Sequence, residues 1–171
     1  MMISSRRRGT MSGTVEGKGA RMTNICVVVA DGSRARVFLL RSGAGPRVKN
    51  ELVEQQGLTN SGNEAPQAES RHSNRDAGPR HPYGAQRERH HLELERRFAA
   101  EIVKRATAQV SGWRDGILVL VAEPRLLGLL RENLRAALAS GIRLKELARD
   151  YTGFSAADLQ QQLESSNMLQ A

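Results

Sequence analysis

The residues of this chain best suited to chemistry crowd into one stretch. Arg71, Arg75, Arg80, Arg87 and Arg89 fall between Glu69 and Glu95, and all four histidines, His72, His81, His90 and His91, fall there too. Guanidinium groups neutralise phosphates in bidentate fashion, and a tyrosine among them offers a ring on which a base can stack. The set Arg71, Arg75, Arg80, Tyr83, Gly84, Arg87 and Arg89 is therefore a candidate RNA contact. Glu69, Asp76, Glu88, Glu93 and Glu95 dilute its field, and the bland reading is a solvated loop.

Two other constellations are weaker. Zinc sites repeat their ligands at short fixed intervals, whereas His72 and His81 stand far apart and His90 and His91 are adjacent, so on a helix they point to different sides. No metal and no cofactor are expected. Asp31, Glu123 and Asp150 each follow a predicted strand, and carboxylates at strand ends can gather two divalent ions for phosphodiester hydrolysis. Each also has an ordinary explanation: Asp31 in a hairpin turn, Glu123 where an acid favours a helix dipole, Asp150 in a loop.

The elements that must position these groups read as follows. Ile25 to Ala30 is a continuous apolar run suited to a strand covered on both faces. Asp31, Gly32 and Ser33 make a turn, and Ala35 to Leu40 forms the second strand of a hairpin. Val48, Leu52 and Val53 support a weaker edge strand. From Gln55 to Gln86 no apolar periodicity survives, giving a loop of about thirty residues, a length that is usually functional or unstructured. The stretch from His81 opens as a Pro/Gly turn and passes into an amphipathic helix whose Leu94, Phe98, Ile102 and Ala106 recur every four residues and which ends near Ser111 and Gly112. Ile117 to Val121 is a second fully buried strand. Pro124 starts a leucine-faced helix that Ser140 and Gly141 stop, and Ile142 to Leu147 returns as a strand parallel to the last. Ser155 with Asp158 forms a capping box for a short helix through Leu163, and residues 165–171 should fray.

Three antiparallel strands, a long loop, then helix, strand, helix, strand, helix predict an RNase-H-like α/β fold, a mixed sheet flanked by helices. At 171 residues the chain has room for one core, placed at residues 22–164. Its 39% hydrophobic and 26% charged residues suit a globular protein, and no run of 18 apolar residues could span a bilayer. The net charge is +8, and half of it comes from Arg6, Arg7, Arg8, Lys18 and Arg21 against Glu16. Residues 1–21 are too polar to fold and contain no secretory signal; they read as an over-long gene start before Met22, or as a basic arm. The lone Cys26 has no disulfide partner, which fits a cytoplasmic protein.

The runs VVVADGSRARVF, ERRFAAEIVKR, LVLVAEPRLLGLLR and LKELARDYTGFSAADLQQQL, with the polar loop ending in RHPY, together resemble the bacterial host attachment family, proteins required for attachment to host cells. The match covers roughly Met22 to Leu163. That family is similar to the middle domain of archaeo-eukaryotic release factors, which implies an ancestral setting on the ribosome. Those factors carry a Gly-Gly-Gln loop before a basic helix, and Gly84, Ala85 and Gln86 stand in the same place here. The resemblance implies Gln86 as the catalytic residue of a peptidyl-tRNA ester hydrolase, with a backbone amide facing the developing oxyanion. Ala85 departs from the pattern, because its Cβ restricts the backbone that the second glycine leaves free.

The sequence points to a non-catalytic, cytoplasmic RNA- or ribosome-binding module. Its rivals are the ester hydrolase, a surface adhesion factor, and a structural homodimer paired through the edge strand near Val48.

Overall fold

The computed structural model describes residues 23–43, 49–61 and 82–170. Five strands form one sheet: β1 (Ile25–Ala30), β2 (Arg34–Arg41), β3 (Glu51–Thr59), β4 (Gly116–Ala122) and β5 (Ile142–Ala148), in the order β3-β2-β1-β4-β5. β1 pairs antiparallel with β2 (Cys26 opposite Leu39) and parallel with β4 (Ile25 opposite Ile117); β2 and β3 are antiparallel, β4 and β5 parallel. Helices α1 (Pro82–Val110), α2 (Pro124–Ala137) and α3 (Ala156–Ser165) flank it. A meander of three strands extended by two parallel ones is the RNase-H-like arrangement that the element order predicts.

The two central strands are apolar throughout because both of their faces are covered. Alternate residues divide between two cores. Cys26, Val28 and Ala30 of β1 and Leu118, Leu120 and Ala122 of β4 pack under α1 and α2, against Phe98, Ile102, Ala106, Leu130 and Leu134. Ile25, Val27 and Val29, with Ile117, Val119 and Val121, pack under α3 against Phe38, Leu52, Leu159 and Leu163.

Local chemistry fixes the ends. Pro124 opens α2, where its missing N–H is harmless. Ser155 accepts the Asp158 N–H at 3.2 Å and so caps α3 as the sequence predicts, while the Asp158 carboxylate takes the Ser155 hydroxyl at 2.6 Å in place of the backbone N–H that a full capping box would use. Gly112, at φ 83°, turns the chain out of α1 in the left-handed region that a Cβ disfavours.

Three expectations are corrected. β3 continues to Thr59, through residues assigned to the loop, since backbone pairing with β2 holds an edge strand whose side chains are mostly polar. α1 begins at Pro82, so the expected Pro/Gly turn is already helix. The end of the chain is not frayed through Gln170: Met168 N–H donates to Leu163 O, Asn167 takes φ 55°, Lys145 Nζ donates to the carbonyls of Asn167 and Gln170, and Met168 and Leu169 pack on the α3 core.

Candidate functional site

α1 is 29 residues long, about 43 Å at 1.5 Å per residue. Its buried face starts only at Phe98. Gln86 to His91 are all exposed, because no apolar residue occurs there to give that part of the helix a stripe for the core. The beginning of α1 thus projects past the sheet.

Its charges sort by partner. Glu93 pairs with Arg97 at 3.1 Å and Glu95 with Arg125 of α2 at 3.0 Å. Two of the acids that dilute the arginines in the sequence are therefore engaged elsewhere. Arg87, Arg89 and Arg96 are exposed and make no ion pair among the described residues. His90 and His91 lie beside them, about 100° apart around the helix. Arg71, Arg75, Arg80, His72 and His81 lie outside the described residues, and Tyr83 and Gly84 are placed only as helical backbone. Gln86 is exposed on the same helix, and the backbone of Gly84, Ala85 and Gln86 belongs to α1.

A second cluster sits where β1 and β5 end. Asp31 Oδ1 accepts from the Ser33 N–H (2.7 Å), the Ser33 hydroxyl (2.8 Å) and the Arg34 N–H (2.8 Å). The hydroxyl of Thr152, a residue only 2% exposed, lies 2.8 Å from Asp31 Oδ2 and 2.6 Å from Asp150 Oδ1. One hydroxyl has one proton, so it donates to one carboxylate at a time. Partial burial pushes the Asp31 carboxyl up, but the bonds from Ser33, Thr152 and Arg34 outweigh it and hold the group below the ordinary carboxylate range.

Arg36 clamps the same loop to the sheet. Its Nη1 donates to the carbonyls of Thr152 (3.1 Å) and Phe154 (2.6 Å), while Nε and Nη2 grip Glu54 at 2.9 and 2.6 Å and the guanidinium lies 4.9 Å from the Phe38 ring centre. The hydrogen bond from Arg36 holds Glu54 low despite partial burial.

Asp31 and Asp150 therefore meet through Thr152, and Glu123 does not join them: it is exposed at the start of α2 and makes no capping bond. Among the described residues no group of three His, Cys, Asp or Glu could hold a metal ion, so the two-ion nuclease geometry is not assembled. Thr152 and Arg36 escaped the sequence reading. Thr152 lies in the run Arg-Asp-Tyr-Thr-Gly and Arg36 in Ser-Arg-Ala-Arg-Val-Phe, and neither run names a chemistry by itself.

A family model described as "Protein required for attachment to host cells" matches residues 26–163. The chain belongs to this family. No curated protein matches it. Among solved structures, RuvC from Thermus thermophilus is similar with 10% identity and a TM-score of 0.36, over 71% of this chain and 61% of that one. The chain thus spans about three fifths of the RuvC chain's length. The fold assignment for this family member stands on its own strand order and registers. None of its described helices is long and apolar enough to cross a membrane.

Proposed function

We propose that this host attachment family member is a non-catalytic binding module, cytoplasmic, that meets RNA or an RNA surface such as the ribosome through the beginning of α1. The observation that supports this reading is the projecting segment on which Arg87, Arg89 and Arg96 face solvent without carboxylate partners among the described residues, while Glu93 and Glu95 are engaged. Unpaired guanidinium groups on a protruding helix bind phosphate by releasing condensed counterions. Arg71, Arg75, Arg80 and Tyr83 would extend the same contact, and attachment to host cells is then a phenotype downstream of binding.

The test is co-sedimentation with ribosomes at low salt, repeated with Arg87→Ala/Arg89→Ala. Binding by the parent and a salt slope reduced by about 1 per removed phosphate contact in the variant are expected. A protein that stays in the supernatant at low salt would remove the reading.

A further inference from the structure

The two edges of the sheet are treated differently. On β3 the side-chain amide of Gln160 occupies the rim: the Leu52 N–H donates to its Oε1 at 2.9 Å and its Nε2 donates to Asn50 O at 2.8 Å, as a neighbouring strand would. β5 has no such cover among the described residues. Gly116 N–H of β4 points to Gly141 O, and Ile117 N–H points the other way, to Asn24 O. In a parallel ladder with Gly116 opposite Ile142, this sets Arg143 and Lys145 facing β4 with both of their peptide groups. Leu144 and Glu146 consequently turn N–H and C=O outward, and none of these four groups has a partner among the described residues.

We infer that the outer edge of β5 is a docking site for an extended, acidic polypeptide segment that adds as a sixth strand. Two observations select this occupant. Alternating donors and acceptors are matched by another backbone, whereas a phosphate accepts but cannot donate to the outward carbonyls. Most of the exposed charges along the rim are basic: Arg143 is exposed on the α3 side, Arg149 is exposed just past the end of β5, and Arg135 is exposed on α2, one turn beyond the Arg131 that reaches Glu146 at 2.6 Å, with Glu132 and Asp150 as the exposed acids beside them. A second copy of the chain fits badly. Two-fold antiparallel pairing centred on Leu144 sets each Arg143 opposite its twin's Lys145, and pairing centred on Lys145 sets the two lysines face to face. This inference is independent of the RNA reading, which concerns the far end of α1.

The test uses the full chain and two labelled peptides, one alternating Glu and Val and one alternating Lys and Val. Binding is read by fluorescence anisotropy, and amide hydrogen exchange is followed by NMR. Saturating acidic peptide should slow exchange at Leu144 and Glu146 by about tenfold or more while Arg143 and Lys145, already paired, stay unchanged. The basic peptide should not bind, and Arg143→Glu/Arg149→Glu should weaken the acidic one by about tenfold. Because that variant keeps the backbone edge intact, N-methylation of alternate peptide amides serves as a second control and should abolish binding. The inference is overturned if the acidic peptide fails to bind, if protection appears elsewhere, if both peptides bind equally, or if Leu144 and Glu146 are already protected in the free chain, by its own residues or by a second copy.

Discussion

Gln160 and Leu52 are joined as two strands would be, with the Gln160 side-chain amide standing in for a peptide group at the rim of β3. The bond occupies Asn50 and Leu52, close in sequence to Val48, which lies outside the described residues and near which the rival homodimer reading places its edge pairing. A side chain that satisfies an edge while ending the ladder is a device against uncontrolled pairing. Gln160→Ala should cost about 1–2 kcal/mol in urea denaturation, one exposed N–H and one C=O being returned to water, and should increase concentration-dependent association in sedimentation.

Arg36 contributes more than its single ion pair with Glu54, because the same guanidinium holds two carbonyls of the loop after β5. Arg36→Ala should destabilise the fold by about 2–3 kcal/mol, and Arg36→Lys should recover little, since an ammonium cannot reach Glu54 and both carbonyls together. Chemical denaturation of the two variants decides this.

Asp31 gives the fold an acid dependence. Its carboxyl is held below the ordinary 3.8 in the folded protein, so its contribution is fully present above that value and is lost as pH falls through the lower folded one. Glu54 acts with the same sign through Arg36. Thr152→Val removes the hydroxyl between Asp31 and Asp150 and should lower stability by about 1–3 kcal/mol at pH 7. That deficit should shrink only as pH falls below 3.8 and through the lower value at which the folded Asp31 carboxyl protonates. Denaturation midpoints at neutral pH and across that acid range provide the measurement.

Two glycines predict opposite outcomes. A Cβ at Gly141 would lie 2.0 Å from Arg114 O, a backbone atom that cannot swing aside, so Gly141→Ala should destabilise by about 1–3 kcal/mol. Within α2, Gly128 has nothing within 4 Å of that position, and Gly128→Ala should stabilise by about 0.5–1 kcal/mol through helix propensity. Thermal melts of the pair test both signs.

Cys26 is fully buried in β1, and burial pushes its thiol up to about 12. The thiolate is the nucleophile, so the folded protein should resist alkylation at neutral pH and react at the ordinary rate only in denaturant. Rapid labelling of the folded protein would contradict the packing of β1.

Much of this architecture was legible in the sequence, for reasons that differ by element. The runs ICVVVA and ILVLV announced central strands because burial on both faces leaves no room for polar residues. α2 announced itself by Pro124 and its leucine face, α3 by Ser155 and Asp158. What escaped notice is held by groups without an apolar signature. The second half of β3 depends on backbone pairing to β2, and the first turns of α1 have no stripe because they pack on nothing described. The meeting of Asp31 with Asp150 depends on one threonine hydroxyl, and the distance between these residues along the chain hid it. Of the sequence-predicted contact set, Arg87 and Arg89 share the exposed start of α1 with Gln86, and Glu123 stands apart from the other two strand-end acids.

The placement of β1 at the middle of the sheet bears on how the molecule assembles. On one side β1 meets β2, its neighbour in sequence; on the other it meets β4, which the chain reaches only after α1. The hairpin can zip early at small entropic expense, but neither face of β1 is sealed until the distant half arrives with its helices. Folding should accordingly be all-or-none and limited by that late encounter, with the early hairpin unable to persist as a stable species alone.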